Sequence, residues 1–153
     1  MRTIVPFPLA LAAATSLLLG ACADNTPGGQ AVRARHEHFE ELGAAMKAID
    51  GQLKADAPTS ATVKLSADKI AELAPRVKTW FPAGSGPQDG KRTDAKAEIW
   101  TRQADFGAAA TRLETAAVAL KAAANGGDGA MVRAAVKTVG AACKTCHDAF
   151  KED

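Results

Sequence analysis

The sequence predicts an all-α fold, an antiparallel four-helix bundle. Three observations predict it. Apolar residues recur at steps of three and four along four separate stretches, the connections between these stretches are mostly short, and no segment alternates apolar and polar residues with the period of two that is typical of a strand. The length of 153 residues and the hydrophobic content of 47% suit one domain once a targeting segment is subtracted.

Residues 1–22 have the organisation of an export signal: a basic residue, an apolar run broken by two prolines, and small residues at the end. Two cleavage sites are compatible with it. The sequence LGAC, which ends at Cys22, resembles a bacterial lipobox, whereas ACA suits an ordinary signal peptidase. We favour the lipobox, because residues 23–30 resemble a flexible, Pro/Gly-rich tether. Domain 31–153 is then expected in the periplasm, anchored through a lipid on Cys22 or, with ordinary cleavage, freely soluble.

The first two helices follow from their apolar stripes. The first stripe has one polar exception, Arg35, and comprises Val32, Phe39, Leu42, Met46, Ile49 and Leu53. The second helix is predicted over about 60–78 from Val63, Ile70, Leu73 and Val77. Pro75 lies inside this pattern and is expected to kink or loosen the last turns, because proline lacks an N–H donor.

Residues 81–94 are rich in Gly and Pro and predict an ordered surface loop, with Asp94 as the cap of the helix that follows. The third helix carries Ile99, Trp100, Gln103, Phe106, Ala110, Leu113, Ala117 and Leu120 and should end at Asn125-Gly126-Gly127. Asp128 is the predicted N-cap of the fourth helix. The stripe of that helix contains Val132, Val136, Val139, Cys143, Cys146, His147 and Phe150, so the cysteines and the histidine are expected on its buried face.

Composition limits the functions that are compatible with this bundle. The formal net charge is +2, and +1 remains when Arg2 leaves with the signal. A nearly neutral chain without a Lys/Arg cluster argues against nucleic acid as a partner. The chain has five Phe, two Trp and no Tyr, with long alanine-rich stretches, so large rigid side chains are scarce and another group is expected to fill the middle of the bundle.

The most informative motif is CKTCH, residues 143–147. A disulfide would close too short a loop to restrain the unfolded chain much. A redox dithiol is expected at a helix N-terminus after a strand, whereas these cysteines lie near the end of a helix. Zinc would need a fourth ligand from His36 or His38, and both point about 80° away from the apolar stripe of the first helix, on opposite flanks.

The remaining interpretation of C-x-x-C-H is the attachment signature of a c-type haem. In that signature two thiols, here Cys143 and Cys146, bond to the vinyl groups of the porphyrin, and the next residue, His147, is the proximal iron ligand. Export, helical placement and the shortage of large core side chains agree with it. The sequence therefore predicts one covalently bound haem c per chain.

With this motif near its C-terminus, the chain resembles the cytochrome c′ family over about residues 31–153. Three segments carry the resemblance: ARHEHF at 34–39, AEIW at 97–100 and GAACKTCHDAFK at 140–151. The resemblance implies that Arg35 lies near a haem propionate, although a surface charge is the alternative. It also implies a packing role for Trp100 at the haem and a basic residue, Lys151, one turn after the proximal ligand, where the helix dipole also favours a lysine.

Phe39 matches the family position on the distal side of the iron. In relatives resembling cytochrome c-556 a methionine there ligates the iron, whereas cytochromes c′ proper have a non-ligating apolar residue. Because phenylalanine cannot coordinate, a five-coordinate, high-spin haem that binds NO or CO is expected. The alternative is a six-coordinate electron carrier with a redox partner. Met46, about 10 Å further along the helix, is expected to be core filler.

No catalytic residue is predicted, because no carboxylate or histidine is placed to move protons on the distal side. Family members often pair through their first helices, so the resemblance also implies a homodimer.

Overall fold

The computed structural model describes residues 24–152. The predicted signal, including Cys22, and the first residue of the predicted tether lie outside this range. The α-helices are α1 (Pro27–Lys54), α2 (Ala61–Leu73), α3 (Glu98–Thr101), α4 (Gln103–Gly126) and α5 (Gly129–Phe150). Two 3-10 segments, Ala74–Trp80 and Pro87–Asp89, lie between α2 and α3. Within 24–152 there is no strand, only a single bridge between Ala95 and Lys151, and none of the helices is long and apolar enough to span a bilayer.

Helix α1 begins at Pro27 and so includes the last four residues of the segment predicted to be a tether. Proline suits the first helical position because its missing N–H would be unpaired there anyway. The Oγ1 atom of Thr26 caps the helix by accepting a hydrogen bond from the Gly29 N–H at 3.1 Å. Gly28 is buried directly against the Gly84 carbonyl, where a Cβ atom would clash. The Pro-Gly-Gly sequence therefore starts a tightly packed helix.

The second helical stretch divides as its proline predicts. Ser60 caps α2 by accepting a hydrogen bond from the Val63 N–H at 3.3 Å. The α-helix ends at Leu73, and the chain continues through the 3-10 segment that contains Pro75. The tighter winding carries Val77 and Trp80 into the core.

The predicted cap at Asp94 is wrong. Residues 94–96 are held in an extended path by the end of α5: the Glu152 N–H donates to the Asp94 carbonyl at 2.7 Å, and the Lys96 N–H donates to the Phe150 carbonyl at 2.9 Å. The helix that follows begins only at Glu98, and it is interrupted at Arg102, which separates α3 from α4.

The turn between α4 and α5 agrees with its prediction. Helix α4 ends before Gly127, which has a φ of 74° that favours glycine. Asp128 caps α5 by accepting hydrogen bonds from the N–H groups of Ala130 and Met131, at 2.8 and 3.2 Å.

The helices pack in the order α1, α2, α4 and α5, and α1 does not pack closely on α5. Arg133 of α5 bridges these two helices at one end. It donates to the Leu53 carbonyl at 3.2 Å and to the Asp56 carboxylate at 2.6 Å, just after α1. The core of α4 is mostly alanine, which brings its neighbours close. The bundle is therefore tight around α4 and open between α1 and α5.

Candidate functional site

A cavity of about 980 Å³ separates α1 from α5. This volume lies at the upper end of the range for small-molecule and cofactor sites. Helix α4, Val77 and the segment that precedes α3 complete its wall. Most of the wall is apolar, and the charged residues Arg33, Glu37, Glu40 and Arg92 are exposed where the cavity meets solvent.

Every phenylalanine in residues 24–152 lines this cavity: Phe39, Phe81, Phe106 and Phe150. Their rings are in contact, with centroids 5.0 Å apart for Phe81 and Phe106 and 5.4 Å apart for Phe106 and Phe150, both edge to face. Edge-to-face pairing is a favourable arrangement for aromatic rings. The few large side chains of the domain thus surround a space instead of filling it.

The α5 wall carries Cys143, Cys146 and His147. Residues three and four apart share a helix face, so the spacing within CKTCH puts both sulfur atoms and the imidazole on the same side. Both cysteines are half-buried, free thiols. Burial raises the pKa of each thiol, and for Cys146 the neighbouring Cys143 adds to the effect. Redox dithiols need lowered thiol pKa values, so the raised pKa values argue against that interpretation.

His147 faces the cavity and is exposed, not buried as its place in the apolar stripe of the helix predicts. Desolvation lowers the pKa of its imidazole, and the positive charge of Lys151 lowers it further, against a smaller opposing effect of Asp148. A neutral imidazole nitrogen is the form that ligates a metal.

The two remaining histidines lie apart from this wall. His36, with a side chain 73% exposed, pairs with Glu40 at the mouth of the cavity at 3.2 Å. His38 packs on the ring of Trp80 with centroids 4.8 Å apart. Across residues 24–152, no three His, Cys, Asp or Glu side chains come together as a metal site would require.

Arg35 is buried, with 4% of its surface exposed, and lines the cavity. Its guanidinium donates to the Ser85 hydroxyl at 2.9 Å, the Ser85 carbonyl at 2.8 Å and the Thr93 hydroxyl at 2.7 Å. It also lies over the rings of Phe81 and Trp100, at 5.0 and 5.7 Å. Burial lowers the pKa of Arg35, yet an arginine stays charged in proteins.

All of these partners of Arg35 are neutral, and no carboxylate in residues 24–152 pairs with it. The surface-charge alternative is excluded by its burial. A buried cation without an anion is costly, so a negatively charged group of a cofactor would be favoured beside it.

The three other predicted site residues differ in where they lie relative to the cavity. Phe39 is on the α1 wall, on the other side of the cavity from the CKTCH motif. Lys151 lines the cavity beside His147, and its Nζ atom is 3.9 Å from the Asp94 carboxylate. Trp100 is not among the lining residues. Its indole N–H donates to the Pro82 carbonyl at 3.1 Å, and its ring packs behind Phe81, so it supports the wall without facing the cavity.

Sequence reasoning missed Ser85 and Thr93, the hydrogen-bond partners of Arg35, and the ring of Trp80 behind Phe39. All three lie in the irregular connection between α2 and α3, where no periodicity indicates which side chains point inward. The one available signal was the density of Gly and Pro in residues 81–94, which indicates an ordered loop.

The residues present fit a haem. The cavity is large and lined by aromatic rings, two thiols and an imidazole share one helix face, and a buried cation without a carboxylate partner suits a propionate. Phe39 and Leu42 make the opposite wall apolar.

Comparison with known proteins agrees with this geometry. The family model "Cytochrome C'" matches residues 30–151. The chain is 36% identical over 125 residues to cytochrome c′ of Rubrivivax gelatinosus, covering 81% of this chain and 95% of the relative. It is also 35% identical over 121 residues to cytochrome c-556 of Agrobacterium tumefaciens strain B2A, covering 78% and 95%.

Solved structures have the same fold. The crystal structure of cytochrome c′ from Thermochromatium tepidum superposes with a TM-score of 0.75 at 29% identity, covering 85% of this chain and 100% of the other. A nitric oxide complex of a single-residue variant of cytochrome c prime from Alcaligenes xylosoxidans superposes with a TM-score of 0.74 at 29% identity, covering 82% and 97%.

Proposed function

The chain belongs to the cytochrome c′ family and is a c-type haem protein, and on that premise we propose that its haem is five-coordinate and high-spin and binds NO or CO. The observation that carries this proposal is that one wall of the cavity offers a ligand for an iron and the opposite wall offers none. His147 on α5 offers an imidazole nitrogen, whereas Phe39 on α1 has no lone pair to offer.

The α5 wall would hold the haem. Cys143 and Cys146 would form the two thioether bonds, and His147 would be the proximal ligand. When bound, the haem supplies an iron with one open position that takes up an uncharged diatomic gas. Arg35 would fix the orientation of the macrocycle by pairing with a propionate, and Lys151 adds a positive charge on the proximal side. The single CKTCH motif implies one haem per chain.

The distal wall is suited to binding and not to catalysis. Phe39 and Leu42 are apolar and offer no proton, while His36, Glu37 and Glu40 are exposed at the mouth of the cavity. We therefore propose a binding protein and no enzymatic activity. The relative from Alcaligenes xylosoxidans that is solved with nitric oxide supports NO as a ligand.

Electron transfer is the second candidate function, and two observations favour it. The chain is similar to cytochrome c-556 as well as to cytochrome c′. Met46 also lines the cavity and carries a sulfur atom that iron can accept. Met46 is two helical turns from Phe39, about 10 Å along the axis, which disfavours it as the sixth ligand of an iron facing Phe39.

We propose a periplasmic location, from the signal-like residues 1–22. If Cys22 carries a lipid, only Ala23 separates the anchor from the folded domain, because Asp24 is already fixed. Its carboxylate pairs with Lys91 at 2.8 Å, and its carbonyl accepts from Arg33 at 2.7 Å. The domain would then lie close to the membrane surface.

A homodimer through α1 and an unidentified redox partner are further proposals from the family resemblance.

Optical spectra of the purified ferric and ferrous protein, with and without CO and NO, test the proposed function. We expect a high-spin ferric spectrum and new bands with each gas. Phe39→Ala should accelerate CO binding, because the ring crowds the distal side. If the wild-type ferric protein were low-spin, with the charge-transfer band of methionine ligation, the electron-carrier function would replace the gas-binding one.

Mass spectrometry after acid–acetone extraction tests the attachment. Produced in a host with c-type maturation machinery, the polypeptide should keep the mass of one haem. The variant with Cys143→Ala and Cys146→Ala should lose it, and should be partly helical and weakly packed because the porphyrin is the centre of the core. A wild-type chain with a haem-free mass would contradict the attachment.

A further inference from the structure

The ring of Trp80 contacts two consecutive residues of α1. Its centroid is 4.8 Å from that of His38 and 5.0 Å from that of Phe39, and the Phe39 ring meets it edge to face at an interplanar angle of 90°. Trp80 is the last residue of the 3-10 segment Ala74–Trp80 and is 6% exposed. It does not line the cavity. Phe39 therefore lies between the cavity and a fixed indole ring.

The next residue of the same segment also supports Phe39. Phe81 has its ring centroid 6.1 Å from that of Phe39 and packs in turn on Phe106, at 5.0 Å. The guanidinium of Arg35 also lies over the Phe81 ring, 5.0 Å from its centroid. Phe81 is thus held by several neighbours of its own, whereas Trp80 is the ring that backs Phe39 from outside the cavity wall.

Stability alone does not explain an indole at position 80. Within residues 24–152, Nε1 of Trp80 is buried without an acceptor, and Nδ1 of His38 is buried without a partner. A buried N–H without a hydrogen bond is unfavourable. A phenylalanine could fill much of the same space without that cost, so the advantage of tryptophan has to come from its larger ring, which reaches both His38 and Phe39.

We propose that Trp80 is a positioning residue that sets the steric barrier which Phe39 presents to gases at the distal side of the haem. The proposal rests on the proposed function. An incoming diatomic molecule needs the space that Phe39 occupies, so the Phe39 ring has to move away from the iron. Trp80 occupies the space behind it, and such a movement breaks the edge-to-face contact.

The proposal is tested by the rate of CO association with the ferrous holoprotein after flash photolysis. Trp80→Leu should increase that rate roughly two- to tenfold, the range that corresponds to the loss of one aromatic pair contact. Trp80→Phe keeps a smaller ring and should give an intermediate rate. This variant can still be measured if the leucine variant does not fold. The ferric spectrum should stay high-spin in both variants.

Two controls separate positioning from general loosening of the core. Leu120→Ala removes a fully buried side chain of α4 that does not line the cavity, so it should lower stability and leave the CO rate unchanged. In the Phe39→Ala background, Trp80→Leu should have no further effect on the rate, because the ring it supports is gone.

The outcomes distinguish this proposal from the proposed function. If Phe39→Ala accelerates CO binding but both Trp80 variants keep the wild-type rate, the positioning role is refuted and the gas-binding function stands. It is equally refuted if Leu120→Ala accelerates binding as much as Trp80→Leu, or if Trp80→Leu still accelerates binding in the Phe39→Ala background. If Phe39→Ala leaves the CO rate unchanged, Phe39 is no barrier and the positioning role of Trp80 is refuted, whereas the gas-binding function fails only if the wild-type ferric protein is low-spin or gives no new bands with CO and NO.

Discussion

Replacement of Arg35 by leucine tests whether the buried guanidinium is there to pair with a haem propionate. Arg35 is 4% exposed, and its three hydrogen bonds go to neutral groups of Ser85 and Thr93. Two of these partners keep another bond after the change: the Ser85 hydroxyl still donates to the Pro82 carbonyl at 2.7 Å, and the Thr93 hydroxyl still accepts from the Ala95 N–H at 3.2 Å. Only the Ser85 carbonyl loses its partner.

The expected free-energy change depends on whether an anion is present. Without one, an unpaired acceptor at Ser85 costs about 1–3 kcal/mol, and removal of an uncompensated buried charge offsets much of it. With a propionate beside Arg35, the leucine variant leaves a carboxylate of the haem without its cation, and breaking such a buried pair costs about 3–5 kcal/mol. We therefore expect Arg35→Leu to lower the free energy of unfolding of the holoprotein by about 3 kcal/mol or more.

Guanidinium unfolding of the holoprotein, followed by circular dichroism and by haem absorbance, measures this change. Loss of a positive charge near the iron should also lower the reduction potential of the haem. Arg76→Leu is the matched control, because Arg76 is exposed and lies outside the cavity; surface changes of this kind stay within about 0.5 kcal/mol. A loss below about 1 kcal/mol for Arg35→Leu, with an unchanged potential, would refute the reasoning.

Three further predictions concern other parts of the chain. Met46→Leu should leave the ferric and ferrous spectra unchanged, and a change of spin state would identify Met46 as an iron ligand. Hydrogen bonds with Lys91 and Thr26 lower the pKa of Asp24 to about 2. The contribution of this carboxylate to stability is therefore present above about pH 4 and is lost as the pH falls towards 2. An NMR titration of Asp24 measures the midpoint, and a midpoint near 4 would contradict the contact with Lys91. Metabolic labelling with a fatty-acid analogue should mark the wild type and not Cys22→Ser, whereas a mature N-terminus at Asp24 would indicate ordinary cleavage.

Local signals predicted most of the fold. Ser60, Gly127 and Asp128 act where their residue types predict, because capping depends on backbone groups within three residues. Asp94 has the same residue type but does not cap a helix. Its carbonyl is taken by the Glu152 N–H, from a segment 58 positions away in the chain that no local rule considers.

The candidate site likewise has one part that local sequence predicts and another that depends on contacts between distant segments. The α5 wall follows from CKTCH itself, because its chemistry and its helical spacing lie within five residues. The position of Phe39 on the opposite wall followed from family resemblance, and its lining of the cavity agrees with that. The partners of Arg35 and the ring behind Phe39 come from the connection between α2 and α3, whose path is fixed by tertiary contacts with Gly28 and α1.

The distribution of side-chain size explains where the bundle is close-packed and where it leaves room for a haem. Helix α4 buries mainly small residues, including Ala109, Ala110, Ala116, Ala117 and Ala124, so its neighbours approach it closely. The large rings are concentrated around the cavity, where they contact one another edge to face and form its wall. Arg133 holds the C-terminal end of α1, and the buried Arg35 joins its first half to Ser85 and Thr93. The walls thus place the ligating and apolar side chains around the site, and the haem supplies the centre of the core that these side chains pack against.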